Sequence, residues 1–232
     1  MTTKEAIMTI DFSGAQPPRR DRIRGRWVDL EPLDPTVHAD SLFAAVSAPE
    51  GIEERFRYLP QTPQTDREDF DAWIAEAAVS SDPLFFAVVD RATGRAEGRQ
   101  ALMRIDAHNG VIEIGHILWG PALSRTRAAT EALFLCADLV FSGGFRRFEW
   151  KCDDDNGPSK RAAERFGFTC EGVFRQHLVV KGRNRDTAWF SIIDTEWPAL
   201  RAAHLEWLDE ANFDSAGRQR RSLRDIVAEH RG

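Results

Sequence analysis

The run VIEIGHILW (111–119) has the length and composition of a buried strand, and the residues that follow it decide the fold. The turn GPALSRTR (120–127) leads into AATEALFLCADLVFS (128–142), where apolar residues recur with the period of a helix packed on a sheet. The first N–H groups of such a helix are free, and with the helix dipole and the adjacent Arg125 and Arg127 they favour a pyrophosphate. The alternative is an ordinary strand–turn–helix connection with exposed arginines.

A second strand and a second helix follow directly. The strand is FRRFEWKC (145–152), and Asn156-Gly157-Pro158-Ser159 begins the helix with a capping side chain and a proline in the first turn. Gly167-Phe168 ends it. This order predicts an anion site between two neighbouring strands.

Two helices are predicted before this unit. Trp27–Leu30 has the character of a short first strand, and Asp34-Pro35 then supplies a cap and a first-turn proline for one helix. The capping box Thr65-x-x-Glu68 predicts the start of a second helix. Its apolar residues from Phe70 to Ala77 follow the i, i+3, i+4, i+7 pattern, so one face is expected to be buried.

Most of the other predicted strands form antiparallel pairs. Leu84–Val89 and Arg99–Ile105 precede the hairpin turn Asn109-Gly110, whose return strand is 111–119. Thr169–Leu178 and Thr187–Asp194 are expected to form a closing pair. These elements predict an α+β fold, in which a mixed, mostly antiparallel sheet is flanked by helices.

Composition limits the class of protein. The chain has 232 residues, is 42% hydrophobic and carries a net charge of −6, which argues against a dedicated nucleic-acid binder. Its three cysteines do not have metal-ligand spacing, so no metal is expected. No export signal or membrane-spanning run is apparent, and we expect a cytoplasmic protein with no membrane partner.

The ordered motifs resemble the GCN5-related N-acetyltransferase (GNAT) superfamily, and within it the RimJ/RimL-like branch that acetylates ribosomal-protein N-termini. The resemblance covers about Arg26 to Asp194. The matching motifs are Glu113-Ile114-Gly115-His116, Ala129-Thr130-Glu131-Ala132, Asn156-x-x-Ser159, Ala163-Glu164-x-x-Gly167-Phe168 and Glu171-Gly172-x-Phe174-Arg175. It implies a GNAT-like domain (25–195), while the polar start of the chain predicts a flexible N-terminal arm (1–24) and the residues after Asp194 predict a C-terminal helical extension (196–232).

One loop departs from the family pattern. The pyrophosphate loop of the family has the form Gln/Arg-x-x-Gly-x-Gly/Ala, but here Ser124 stands first and Arg127 replaces the first glycine. Only Ala129 agrees with the pattern. Glycine lets the backbone approach the phosphates closely, so Arg127 is expected either to supply charge instead or to weaken coenzyme A binding.

The resemblance implies a function and a set of site residues. The implied enzyme moves an acyl group from acetyl-CoA, or another acyl-CoA such as succinyl-CoA, to a primary amine of a small molecule or a peptide N-terminus. The amine attacks directly in a ternary complex. The residues implied to contact the acyl-CoA are Ile117, Leu118, Trp119, Arg125, Thr126, Arg127, Ala128, Ala129, Thr130, Asn156 and Ser159.

Glu113 and His116 are the candidate bases. In a regular strand they face opposite sides unless a bulge intervenes, and Ile112, Ile114 and Leu118 would share the core face with His116. We therefore prefer Glu113, acting directly or through water. A strand-surface carboxylate in a salt bridge is the alternative for Glu113, and a core histidine is the alternative for His116.

Ser159 is the candidate acid. Many members of the superfamily place a tyrosine where this chain has Ala163, and the resemblance instead puts the serine of Asn-x-x-Ser near the thioester sulfur. Plain helix capping by Asn156 is compatible with this role.

The acceptor site implied by the family lies between Glu53–Tyr58 and Lys181–Asp186. Two other classes of protein are kept open: a non-catalytic acyl-CoA-binding module, and an interaction protein that uses the C-terminal helix and arginine-rich tail. That helix, which begins at Trp197-Pro198, is expected either to cover the domain or to form a homodimer contact.

Overall fold

The alternating apolar residues of Val111–Trp119 form a central strand of an eight-stranded sheet in the computed structural model, which describes residues 10–232. The strand order is β1-β2-β3-β4-β5-β6-β8-β7, and every neighbouring pair is antiparallel except β5 and β6, which are parallel. The predicted mixed, mostly antiparallel sheet is thus confirmed. The strands are β1 (Ile23–Arg24), β2 (Val28–Pro32), β3 (Leu84–Asp90), β4 (Arg95–Asp106), β5 (Val111–Trp119), β6 (Arg147–Asp153), β7 (Thr169–Val180) and β8 (Arg183–Ile193).

Helices pack on both faces of this sheet, and most begin at a capping side chain. Asp34 accepts a hydrogen bond from the N–H of Thr36, and Asn156 accepts one from the N–H of Ser159. The helices are α1 (Pro35–Val46), α2 (Ile52–Phe56), α3 (Arg67–Val79), α4 (Arg127–Ser142), α5 (Gly157–Phe166), α6 (Trp197–Leu208) and α7 (Leu223–Arg231).

One predicted helix start is wrong, and one short helix was missed. The cap of α3 is Asp66 and not Thr65, because the Asp66 carboxylate accepts hydrogen bonds from the N–H groups of both Glu68 and Asp69. The five-residue helix α2 was not predicted at all, since it is too short to show a helical period.

The sheet has a different core on each side. We call the side packed against α4 to α7 the first face and the side packed against α1, α2 and α3 the second face. Within the described residues, the core of the second face contains no side chain of β6, β7 or β8. Beside β5 and β6 the second face carries buried charged side chains instead, among them Glu113, Glu149 and Lys151.

The two ends of the chain pack against this framework. Ile23 and Arg24 of the predicted arm pair with β2, and the N–H of Ala15 donates to the carbonyl of Ala107; residues 1–9 lie outside the described residues. In the extension, Leu223 and Ile226 are fully buried in the first core. The arginine-rich tail thus forms a helix that packs against the first face. No helix in residues 10–232 is both long and apolar enough to cross a membrane.

A buried carboxylate joins α4 to the start of β2. Glu131 is 5% exposed and accepts hydrogen bonds from three consecutive backbone N–H groups, those of Arg26 (2.7 Å), Trp27 (2.7 Å) and Val28 (2.9 Å). Charge-assisted bonds of this kind are among the stronger ones in proteins. Glu131 therefore fixes the helix relative to the sheet edge.

Replacing Glu131 with alanine should destabilise the whole domain. Three N–H groups, one of them buried and two part-buried, would lose their acceptor, so we expect Glu131→Ala to lower the free energy of unfolding by about 3 kcal/mol. Urea denaturation measures this change. Glu164→Ala, which removes an exposed glutamate of α5, is the control and should change stability by less than about 0.5 kcal/mol. Equal effects of the two substitutions would show that the anchor has no special role.

Candidate active site

The parallel strands β5 and β6 part in the middle of the sheet. Their pairing runs from Val111 with Arg147 to Ile114 with Trp150 and stops there. Beyond this point β5 continues to pair with β4, while β6 pairs with β8. Because α4 and α5 follow these parallel strands, both helices begin at the same end of the gap. The predicted anion site thus lies beside an opening between two strands.

A β-bulge in β5 marks the point of parting. Arg99 and Ala101 of β4 pair with Leu118 and Gly115, so β5 holds one more residue than β4 in this interval. His116 is at this bulge, and its backbone lies in the left-handed region with φ of 50°. Such a bulge moves the following side chains to the opposite face.

The bulge overturns the expected face of His116. Ile114 belongs to the first core but Leu118 belongs to the second, and the His116 ring lies 5.2 Å from that of Phe85 in the second core. The prediction that Leu118 and His116 share a face with Ile114 is therefore wrong. Glu113, opposite in the pleat to Ile114, lies on the second face with His116.

Glu113 is held between two cations. Its carboxylate lies 2.7 Å from Nη1 of Arg104 and 3.0 Å from Nζ of Lys151, and its side chain is 6% exposed. Lys151 also contacts Glu149 at 2.7 Å and lies over the Trp189 ring at 3.8 Å. Glu113 thus forms salt bridges, as the alternative interpretation predicted. Its strand lines the opening and does not lie on an outer surface.

The His116 ring is half-buried and neutral at neutral pH. Its Nδ1 lies 3.3 Å from Nε2 of Gln61. Burial, followed by the positive charges of Arg99 and Arg104, lowers its pKa to about 4. The histidine therefore carries no positive charge that would repel an ammonium group.

The segment around α2 crosses the second face of the gap. The Tyr58 hydroxyl donates to the carbonyl of Asp155, just before α5, at 3.0 Å. Lys181 Nζ donates to the carbonyl of Phe56 at 2.9 Å. The two segments that the family resemblance implies for acceptor binding are thus in contact.

The start of α4 presents free N–H groups. Thr126 caps the helix by accepting from the N–H of Ala129, but no described residue accepts from the N–H groups of Arg127 or Ala128. A cavity of about 550 Å³ opens here. Its lining residues are Arg26, Trp27, Asp90, Arg91, Ala92, Thr126, Arg127 and Ala128.

Arg127 is fixed by two aromatic rings. Its guanidinium lies 4.3 Å from the ring centre of Trp27 and 4.2 Å from that of Phe213. These rings come from the two ends of the chain and hold the charge at the cavity wall. The predicted neighbours Ala129 and Thr130 are buried, whereas Arg125 is exposed.

Ser159 lies on the first face of the gap. Its hydroxyl accepts a hydrogen bond from Nε1 of Trp150 at 3.0 Å, and its N–H donates to the Asn156 side chain at 3.1 Å. The capping role predicted for Asn156 is confirmed. Ser159 and Glu113 thus lie on opposite faces of the same pair of strands.

Other residues of this region were not identified from the sequence. Arg99, Arg104, Lys151 and Gln61 belong to no motif. Strand pairing brings the first three to Glu113 and His116, and the loop before α3 brings Gln61 to His116. The described residues hold no cluster of three or more histidine, cysteine or acidic side chains arranged for a metal.

Comparison with known proteins shows the relatives of this chain. A family model described as an acetyltransferase (GNAT) domain matches residues 28–169. A GCN5-related N-acetyltransferase from Brucella melitensis is 56% identical, with a TM-score of 0.92 over 94% of this chain and 99% of that chain. An uncharacterized N-acetyltransferase p20 from Bacillus licheniformis is 28% identical over 182 residues, 76% of this chain and 96% of the relative.

One of the similar solved structures has a name that fits the RimJ/RimL-like branch. A Vibrio cholerae protein assigned as a ribosomal-protein-serine acetyltransferase has a TM-score of 0.60 at 20% identity, over 77% of this chain and 99% of its own. At this identity the similarity concerns the architecture alone.

The low pKa of His116 predicts a loss of stability in acid. Its folded-state pKa of about 4 is below the ordinary 6.5, so the unfolded chain binds the proton first as the pH falls. The free energy of unfolding should therefore decrease from about pH 6.5 down to about 4, by at most about 1.4 kcal/mol per pH unit. His116→Gln should make this dependence shallower, as measured by urea denaturation across the range. The exposed His108→Gln is the control, and equal slopes in both variants would contradict the assignment.

Proposed function

The chain belongs to the GNAT acetyltransferase family, and from this premise we propose that it moves an acyl group, in the first place acetyl, from coenzyme A to a primary amine. The prediction of an N-acetyltransferase-type enzyme is confirmed at the level of the family. The observation that carries the proposal is the parting of β5 and β6 beside the free N–H groups of α4.

The acyl-CoA fits the first face of this opening. The N–H groups of Arg127 and Ala128 and the positive end of the α4 dipole suit its pyrophosphate, with the exposed Arg125 beside them. We assign the pantetheine arm to the backbone of Ile117–Trp119, where β5 has left β6. Thr126 and Asn156 hold the starts of the two helices that flank the arm.

The acceptor amine enters from the second face. Its nitrogen forms a bond to the thioester carbonyl carbon, the carbon–sulfur bond breaks, and the amine loses a proton. We propose that Glu113 takes this proton through water, with His116 on the same face as the alternative base. The Ser159 hydroxyl, the candidate acid, donates a hydrogen bond to the leaving thiolate and relays a proton to it from solvent, so that the serine is not left ionised. Backbone N–H groups of the parted β5 segment stabilise the oxyanion.

Location and assembly are part of the same proposal. The free thiols Cys136, Cys152 and Cys170 suit the reducing cytoplasm. A homodimer through the C-terminal helices has less support, because α6 and α7 bury their apolar residues in the first core of their own chain. The acceptor is taken to be a small molecule or a peptide N-terminus.

Acetyl-CoA should raise the melting temperature of the purified protein. A ligand that binds only the folded state contributes about 2.7 kcal/mol at a hundredfold excess over its dissociation constant. Parallel scans with succinyl-CoA and longer acyl-CoAs rank the donors, and ATP serves as the polyphosphate control. If no thioester shifts the melting temperature more than ATP does, the proposed donor site is wrong.

Glu113→Gln should damage turnover and spare donor binding. Loss of a general base lowers kcat by about a hundredfold or more, measured as thiol release from acetyl-CoA with a panel of primary amines. Glu149→Gln is the matched control, because Glu149 pairs with the same Lys151. Equal losses in both variants would mean that the charge network and not the base is responsible. Unchanged turnover in Glu113→Gln, with a loss in His116→Gln, would transfer the role to His116.

A further inference from the structure

Arg99 is a buried charge without a counter-charge. Its side chain is fully buried on the second face, where the guanidinium lies 4.5 Å from the ring centre of Trp73. One nitrogen, Nη1, donates to the carbonyl of His116 at 2.8 Å. Nε and Nη2 have no hydrogen-bond partner among residues 10–232. Burial lowers the pKa of Arg99 to about 9, with no neighbouring carboxylate to oppose the effect.

The two unpaired nitrogens lie on one edge of the guanidinium. Nε–H and Nη2–H point in the same direction and form a two-pronged donor that matches the two oxygens of a carboxylate. Native proteins seldom leave buried donors of a charged group unpaired, because each one costs free energy. The edge of Arg99 that is free is therefore the edge suited to a planar anion.

The surroundings of Arg99 belong to the acceptor side of the opening. Its one hydrogen bond goes to His116 at the bulge, and the next residue, Ile117, begins the segment assigned to the acyl donor. Gln61 contacts the His116 ring, and its Oε1 is also buried without a partner. The unpaired Nε and Nη2 of Arg99 and the unpaired Oε1 of Gln61 thus belong to two residues that both hydrogen-bond His116.

We propose that Arg99 binds a carboxylate of the amine acceptor, so that the substrate is a small amino acid or a similar amino-carboxylate; this rests on the proposed transferase function. The carboxylate accepts hydrogen bonds from Nε and Nη2 of Arg99. The amine then lies near Gln61 Oε1 and His116, facing the acyl carbon. Because Arg99 is fully buried against the rings of Trp73 and Phe85, its surroundings must move for the substrate to enter.

Calorimetric titration of the CoA-saturated protein tests the proposal. The probes are three matched pairs: glycine and methylamine, β-alanine and ethylamine, and γ-aminobutyrate and propylamine. CoA in place of acetyl-CoA prevents turnover during the titration. We expect at least one amino acid to bind at least tenfold more tightly than its amine partner, and Arg99→Gln to abolish that difference.

Two further variants separate recognition from folding. Arg55→Gln is the matched control, because the guanidinium of Arg55 is satisfied by the carbonyls of Val46, Ala48 and Glu50; it should keep the preference. Arg99→Lys keeps the buried charge but loses the two-pronged geometry, so its preference should fall even if Arg99→Gln does not fold. Equal binding within all three pairs, or a preference unchanged in the Arg99 variants, overturns the proposal.

The same titrations without CoA keep the two proposals apart. A protein that fails to bind CoA but still prefers the carboxylate through Arg99 would refute the transferase and leave the carboxylate site standing. A protein that binds CoA but shows no preference for the carboxylate would refute the carboxylate site and leave the transferase proposal standing.

Discussion

The extra residue at His116 in β5 is the constraint on which the site depends. Without it, β5 would stay in register with β4 through Leu118, and His116 would point into the first core with Ile114. With it, Glu113 and His116 share the second face while the strand separates from β6. Arg99 holds this geometry through its hydrogen bond to the His116 carbonyl, so the same arginine both supports the bulge and offers a free edge beside it.

The donor side is held by contacts from distant parts of the chain. Glu131 ties α4 to the backbone before β2, and Arg127 lies between Trp27 and Phe213. The family loop uses glycine where this chain has Arg127, and a glycine would remove the cation that contacts these two rings. The C-terminal extension thus supports the proposed donor site, because Phe213 contacts Arg127 in the cavity wall.

Local chemistry explains how much could be predicted from the sequence. The bounds of β5 and the caps Asp34 and Asn156 were predictable because each depends on residues within a few positions. The bulge was not, since it depends on how many residues β4 sets against β5. The partners of Glu113 and the isolation of Arg99 come from pairing across strands, for which one sequence contains no periodic signal.

The charges on the second face favour an acceptor that brings its own anion. The cations Arg104, Lys151 and Arg147 of this face each form a salt bridge with a carboxylate: Glu113, Glu149 or Glu171. Arg99 beside them has no carboxylate partner. A simple ammonium ion would meet this uncompensated charge as it approached the thioester. A carboxylate on Arg99 removes that repulsion and also offsets one of the two positive charges that, after burial, lower the pKa of His116. Binding of an amino-carboxylate would therefore make the histidine a stronger base at the moment when the amine must lose its proton.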